Sequence, residues 1–229
     1  MKQILTFLAI FCALVSQAQN EYTPLKQTAL SFDKDAFHQL HCSVPVYVTY
    51  TVNDTIAPSV ISIGLGVYVD CVSVRVENDT LFLDFDLPQY MNEPGVNELQ
   101  INITGPALTG IESDVKCMLV TIGDQTLKSA VRVVASERAN ILIRDCVTAP
   151  EISVSAGNGA VVGIFGVNTP LMNISASDLS IVNLYGLQDS SRADTLRLCA
   201  KGISTITVSD TIHKSLTEDK SEGSTITVQ

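Results

Sequence analysis

The chain has 229 residues, of which 46% are hydrophobic and 17% are charged, and its formal net charge is −10. This balance excludes a disordered chain, which combines low hydrophobicity with high charge, and a long coiled coil, which is rich in Ala, Glu, Lys, Leu and Arg. Nucleic acid is not expected as a partner, because no cluster of Lys and Arg offers the basic patch that phosphates require.

The N-terminus has the three parts of an export signal. Lys2 supplies positive charge, an apolar run covers residues 4–15, and Ser16-Gln17-Ala18 has the spacing of a cleavage site. We expect residues 1–18 to be a signal peptide and the protein to reach the periplasm or cell surface of a Gram-negative bacterium. No later stretch is apolar over the roughly 20 residues that span a bilayer, so no integral membrane segment is expected after cleavage.

Short strands are predicted after a polar lead-in over residues 19–40. Residues 43–52 alternate, with one face formed by Val44, Val46, Val48, Tyr50 and Val52. Residues 72–76, the turn Glu77-Asn78-Asp79 and residues 80–86 have the pattern of a β-hairpin. Another strand is predicted over residues 97–104. No segment has a helical period, so the fold is predicted to be all-β.

The C-terminal half contains a repeat of about 20 residues, the spacing of a solenoid. Ser204–Val208 recurs as Ser224–Val228. Looser copies align to give one apolar column, namely Ile141, Val162, Val182, Ile206 and Ile226, with Val120-x-Ile122 one step upstream. A second column consists of Val133-x-Ala135, Val154-x-Ala156, Ile174-x-Ala176 and Leu198-x-Ala200. The copies end at the corners Asp124, Asp145, Gly166, Gly186 and Asp210.

These columns predict a β-solenoid. Each inward aliphatic side chain would stack on its equivalent in the next rung, about 4.8 Å away, and several rungs must stack because one rung cannot bury its own face. We predict a single domain over residues 41–229, with irregular strands and a hairpin over 41–110, regular rungs over 111–210 and a polar capping rung over 211–229. An antiparallel β-sandwich is the alternative.

Residues 37–50, 74–83 and 99–108, followed by the Ser/Ala-x-Ile-x-Ile rungs, resemble the bacterial auto-transporter adhesin, head GIN domain family. This is a domain of unknown function in secreted or periplasmic proteins. The resemblance covers most of residues 37–210. It implies a right-handed β-helix, and it carries no site residues to this chain.

Signatures of catalysis and of metal binding are weak. His38-x-x-His41-Cys42 offers three ligands, but in an extended segment the two histidines face opposite sides, and zinc needs a further ligand or an open position. Asp84 and Asp86 share one strand face, where a solvated surface is expected rather than acid–base chemistry or calcium binding.

A pectate-lyase-type enzyme would also need Arg or Lys beside calcium, and only Arg75 is near. No nucleophile elbow or phosphate loop occurs. We therefore predict no catalytic residue, no metal and no cofactor. The five cysteines after the signal peptide are predicted to be buried thiols, with one disulfide as the alternative in an oxidising compartment.

One outward stripe is unusually apolar. Val161 and Phe165 alternate with the inward residues of one rung, and Ile181 and Tyr185 repeat them one rung later. Such a stripe marks a covered surface or a partner site. Packing by the N-terminal strands and binding of an external partner are both open.

Four Asp-Thr-apolar triplets resemble the O-glycosylation pattern of exported proteins in some Gram-negative bacteria. Their threonines are Thr55, Thr80, Thr195 and Thr211. Asp-Thr is also ordinary corner chemistry, so both interpretations stay open.

The function expected from these features is a non-catalytic, exported cell-envelope protein. It would be a structural or binding module, adhesin-like, whose partner is an envelope protein or a glycan. One alternative is a polysaccharide-active lyase or hydrolase of the β-helix type, which stacked outward Asp, Lys and Arg along one groove would favour. Another is an accessory subunit that docks on another envelope protein.

Overall fold

The computed structural model describes residues 25–86, 98–186, 191–209 and 211–229. The predicted signal peptide and the corner at Asp210 lie outside these residues. None of the described residues belongs to a helix that is long and apolar enough to cross a membrane.

The described residues form short strands and one helical turn, α1 (Gly66–Val69). The strands are β1 (Leu25–Ser31), β2 (Gln39–Ser43), β3 (Tyr47–Val52), β4 (Ser59–Leu65), β5 (Val72–Glu77), β6 (Thr80–Phe85), β7 (Gln100–Gly105), β8 (Gly110–Ser113), β9 (Met118–Ile122), β10 (Gln125–Thr126), β11 (Val131–Ala135), β12 (Asn140–Thr148), β13 (Glu151–Ala156), β14 (Val161–Ala176), β15 (Ile181–Tyr185), β16 (Arg192–Ala200), β17 (Thr205–Ser209), β18 (Ser215–Lys220) and β19 (Thr225–Val228).

These strands stack into a β-solenoid, as predicted. The first sheet runs in the order β5, β6, β2, β8, β11, β13, the end of β14, β16 and β18. The second sheet runs in the order β1, β4, β7, β3, β9, the start of β12, the start of β14, β15, β17 and β19. A short third sheet joins β10 to the later parts of β12 and β14 and to the start of β16.

The predicted inward column of the second sheet is continuous. Ile141 pairs with Val162, which pairs with Val182, and the column continues through Ile206 to Ile226. The first four side chains are fully buried, and Ile226 is partly buried in the last rung. Burying one such side chain contributes about 1.5–3 kcal/mol to the free energy of folding, so the column as a whole stabilises the fold strongly.

The second predicted column is also confirmed. Val133, Val154, Ile174 and Leu198 are consecutive partners in the first sheet, and so are the alanines two residues after each of them. Small side chains suit this place because the chain turns sharply beyond it, through residues with positive φ such as Asn158.

Serines tie these turns to the rung before them. The hydroxyls of Ser180, Ser204 and Ser224 donate to backbone carbonyls of the preceding rung at 2.9, 3.1 and 3.0 Å. Each bond satisfies a carbonyl near a corner, so the serine ladder holds successive turns in register.

The copy upstream of Ile141 is shifted by one residue from the prediction. Ile141 pairs with Leu119 and not with Val120. Thr121 also points inward and is buried, whereas Ile122 is 38% exposed. The sequence prediction placed Ile122 inside because it is apolar, but in the structure the polar Thr121 takes the inward position. A shift of the register by one residue exchanges the inward and outward faces of a strand.

Residues 41–110 contain regular rungs, in contrast to the irregular strands expected there. The rung of β2 and β3 lies between the rung of β6 and β7 and the rung of β8 and β9, with parallel pairing on both sides. Stacking order therefore differs from chain order. A contact such as that of Cys42 with Ser113 spans 71 residues, which hides any short period in the sequence.

Antiparallel strands close the N-terminal end of the solenoid. The predicted hairpin is confirmed: β5 pairs with β6 through a turn at Asn78 and Asp79, both with positive φ. Residues 25–31, expected in the polar lead-in, form β1, which pairs with β4. Six of its seven residues are exposed. The strand therefore has no buried face, and its sequence lacks the alternation of apolar and polar residues by which a strand is predicted.

The C-terminal end is polar. The register places Glu218 beside Leu198 and Lys220 beside Ala200, so both inward positions of the first sheet end in charged residues. All six residues of β18 are exposed. Charge on the last strand disfavours further strand addition at this edge.

Truncation within the column should be costly only where the column is buried on both sides. Ile206→Ala is expected to lower the free energy of unfolding by about 2–5 kcal/mol, because it leaves a cavity between two neighbouring rungs. Ile226→Ala removes the same atoms from the partly buried last rung and serves as the matched control, with a clearly smaller loss. Urea unfolding measures both, and equal losses would contradict the described column.

Candidate functional site

The four predicted stripe residues lie together on the outer side of the second sheet. The rings of Phe165 and Tyr185 stack with centroids 4.9 Å apart and planes at 30°. Val161 pairs with Ile181 in the same two rungs. Ile181 and Tyr185 are 39% and 40% exposed, and the other two are half-buried. The four side chains thus form one accessible apolar surface.

This surface extends into earlier rungs, which sequence reasoning missed. Tyr47 and Met118 pair with each other and are 42% and 41% exposed. Ile122 is exposed in the same rung as Met118. Its apolar character was visible in the sequence, but the one-residue shift assigned it to the inside. The apolar stripe is defined from here on as Tyr47, Met118, Ile122, Val161, Phe165, Ile181 and Tyr185.

A glycine lies in the middle of the stripe. A Cβ at Gly163 would come within 2.8 Å of Leu142 Cδ1 and 3.5 Å of the Tyr185 ring. The missing side chain therefore lets Leu142 and Tyr185 close over the sheet. Between the earlier and the later rungs, the outward positions of β12 hold Leu142 and also the polar Asn140, which pairs with both Met118 and Val161.

The described N-terminal strands do not cover the stripe, contrary to the favoured expectation. β1 and β4 lie beyond β7, at the edge of the second sheet remote from β14 and β15. β1 and β4 cover the end of the core at this position, because β7 would otherwise be an exposed edge strand. The described strands therefore leave the stripe exposed, and binding of an external partner stays a prediction.

A second feature, a groove of about 500 Å³, lies on the outer side of the first sheet. Gly110 forms its floor between Gln39 and Arg132, its partners on the neighbouring strands. The Phe82 ring lies 5.4 Å from the His41 ring. The groove lining also includes Thr80, Thr109, Glu112, Ser129 and Arg132.

The ionisable groups beside this groove satisfy one another. His41 lies 3.9 Å from Glu112 and 3.5 Å from Asp114. Ser43 Oγ donates to Asp114 Oδ1 at 2.6 Å and lies 3.0 Å from His41 Nε2. Because the serine proton is given to the carboxylate, the three residues do not form the nucleophile–base relay of a hydrolase.

Asp84 and Asp86 do not converge on a common ligand. Asp84 forms an ion pair with Arg75, whose guanidinium also lies 4.4 Å over the Phe82 ring. Asp86 is exposed on the same strand face. Arg75 therefore neutralises one carboxylate of the predicted pair.

The three candidate metal ligands that the sequence offered do not lie together. His38 Nδ1 contacts Asp79 Oδ1 at 2.8 Å, His41 faces the groove, and Cys42 is fully buried in the core. Within the described ranges, no three His, Cys, Asp or Glu side chains are grouped so that they could hold a metal ion.

The four candidate threonines differ in access. Thr55 is exposed, Thr80 and Thr195 are half-buried, and Thr211 is buried. The Thr211 hydroxyl donates to the Ser209 carbonyl at 3.2 Å. Thr55 is therefore the most accessible acceptor, and O-glycosylation remains a prediction.

The fold is similar to those of bacterial proteins of known structure. A "putative adhesin" from Bacteroides fragilis superposes with a TM-score of 0.57 at 15% identity, covering 89% of this chain and 97% of that chain. A "putative lipid binding protein" from Parabacteroides distasonis gives 0.62 at 11% identity, covering 90% and 95%. A "putative adhesin" from Parabacteroides merdae gives 0.51 at 11% identity, covering 91% and 97%.

At these identities the similarity concerns the fold alone. No family model matches the chain, and no curated protein matches it.

Proposed function

We propose that this chain is an exported, non-catalytic binding module of the bacterial cell envelope, adhesin-like, that docks on another envelope protein through the apolar stripe. The observation that carries the proposal is the exposed stack of Phe165 on Tyr185 beside Ile181. Solenoid surfaces are otherwise polar, and a contiguous exposed apolar surface marks an interaction site.

The charge distribution supports a neutral partner surface. The chain has a net charge of −10, yet β3, β9, β14 and β15, which carry the stripe, contain no charged residue. Between β9 and β14, β12 carries Arg144 and Asp145. Depletion of charge together with aromatic residues and Met is typical of the core of protein interfaces.

The composition of the stripe favours a protein over a glycan. Sugars stack on aromatic faces, whereas Met118, Ile122, Val161 and Ile181 are aliphatic or thioether side chains that gain most from apolar contact. A glycan partner would use only the rings of Tyr47, Phe165 and Tyr185. The envelope-protein partner therefore accounts for more of the surface.

Export, envelope location and family rest on further observations. The N-terminal sequence has the organisation of a signal peptide, and two of the structural neighbours are named as putative adhesins. The residues that resemble the head GIN domain family, such as Phe37 and Tyr50, belong to the buried core. Membership in this family is part of the proposal.

Removing the two rings should abolish docking without unfolding the chain. In pull-downs from envelope extracts, Phe165→Ser/Tyr185→Ser is expected to recover at least about tenfold less partner, since interface hot spots contribute 2 kcal/mol or more. Thr207→Ser/Thr227→Ser, on the same sheet beyond the stripe, is the matched control and should recover as much as the unmodified protein.

Circular dichroism and the urea midpoint establish that both variants are folded. Unchanged partner recovery by the Phe165→Ser/Tyr185→Ser protein would contradict the proposal. So would selective binding to a glycan array that this variant weakens, because the partner would then be a carbohydrate.

One observation favours the competing class, a polysaccharide-active enzyme. Arg75, Asp84, His41, Glu112 and Arg132 lie outward on neighbouring strands along the groove of the first sheet. Such a row of charges is the feature expected of a lyase or hydrolase. The ion pairs of Arg75 with Asp84 and of His41 with Glu112 reduce what these four groups could contribute to acid–base chemistry.

An assay of reducing-end release from neutral and anionic polysaccharides separates the two classes. We expect no release by the unmodified protein above a heat-denatured control. Activity that disappears in Glu112→Gln and persists in Asp86→Asn, the exposed control carboxylate, would establish the enzyme and overturn the non-catalytic assignment.

A further inference from the structure

Two buried cysteines meet at the corner between β8 and β9. Cys42 on β2 pairs with Ser113 on β8. The Ser113 hydroxyl donates to the Cys42 carbonyl at 3.0 Å and lies 2.8 Å from Cys117 Sγ. Cys42 is fully buried and Cys117 is 5% exposed. Sequence reasoning did not pair them, because they belong to rungs that are adjacent in space and distant in the chain.

The two thiols are chemically different. The hydrogen bond from Cys42 lowers the pKa of the Cys117 thiol, against the opposing effect of burial. The hydrogen bond to Cys117, together with burial, raises the pKa of the Cys42 thiol well above its usual value. Cys117 is therefore the better nucleophile, since the thiolate is the reactive form, and Cys42 keeps its proton.

A cavity gives access to Cys117. Its volume is about 360 Å³, and its lining includes Cys117, Tyr47, Lys116, Met118 and Arg138. Lys116 and Arg138 are exposed and supply two positive charges. Cations beside a cleft raise the local concentration of small anions. Cys71 is the third buried cysteine of the described residues. Burial raises the pKa of its thiol, and it lines neither this cavity nor the groove of the first sheet.

We propose that Cys117 and Cys42 form a thiol–disulfide exchange site that takes a small anionic disulfide of the glutathione disulfide type. The Cys117 thiolate attacks one sulfur of that disulfide, its S–S bond breaks, and one thiolate leaves and takes up a proton. Cys42 then attacks the Cys117 sulfur and passes its proton to the second thiolate, which leaves as a thiol. Two cysteine thiols are oxidised, and one external disulfide is reduced to two thiols.

The bond formed would fasten the rung that is out of chain order. It joins β2 to the corner that leads into β9, and Cys42 and Ser113 at this contact are 71 residues apart in the chain. Cross-links across long segments restrict the unfolded chain most. The oxidised protein is therefore expected to unfold at a higher urea concentration than the reduced protein. This inference does not depend on the stripe or on its partner.

The test uses reduced protein with Cys146→Ser and Cys199→Ser, which removes the two partly exposed thiols. After incubation with glutathione disulfide, non-reducing peptide mass spectrometry should find the Cys42–Cys117 disulfide. In the same background, Cys42→Ala should retain a glutathione adduct on Cys117. Lys116→Ala/Arg138→Ala should slow adduct formation several-fold, and Lys201→Ala, an exposed lysine elsewhere, should not.

A measurement without core substitutions guards against misfolded variants. In the Cys146→Ser/Cys199→Ser protein, Cys117 should react with glutathione disulfide at least about tenfold faster than Cys71, because thiol reactivity follows access and the thiolate fraction. Equal rates at the two cysteines would overturn the proposal. A stable adduct on Cys117 with Cys42 present would also overturn it, because Cys42 would then not act as the resolving thiol.

Discussion

Stacking of each inward aliphatic side chain on its equivalent in the next rung is the interaction on which the molecule depends. In the second sheet this column runs from Ile101 through Val48 and Leu119 to the repeat of the C-terminal half. One rung cannot bury its own face, so each rung is stable only between two others. The two ends therefore need different endings, antiparallel strands at one and the charged strand β18 at the other.

Because the core uses only alternate residues, the outward positions are free to carry function, and the two sheets use them differently. The first sheet carries charges that neutralise one another, as His41 and Asp114 do beside the groove. The second sheet is uncharged over most of its width and exposes aromatic rings at Phe165 and Tyr185. This contrast is the reason why the proposed recognition of a neutral partner is placed on the second sheet and not on the first.

Sequence predicts this fold where neighbours in space are also neighbours in the chain. The columns from Val133 onward were readable because each rung follows the last at a short, nearly constant spacing. The pairing of Leu40 with Ile111 could not be predicted from the sequence, because the rung of β2 and β3 lies between two rungs that come later in the chain. The same insertion hid the Cys42–Cys117 pair, and the buried polar Thr121 hid the part of the stripe around Ile122.

Double-mutant cycles on that inserted rung test the account most directly. Leu40 lies between Leu81 and Ile111 in the first sheet, so Leu40→Ala should couple to Leu81→Ala and to Ile111→Ala by about 0.5–3 kcal/mol, measured by urea unfolding. Leu81→Ala and Ile111→Ala, separated by the rung of Leu40, should couple more weakly than either does with Leu40→Ala. Strong coupling of Leu81 to Ile111, with Leu40 additive to Ile111, would show that the rungs stack in chain order and would contradict the structure described.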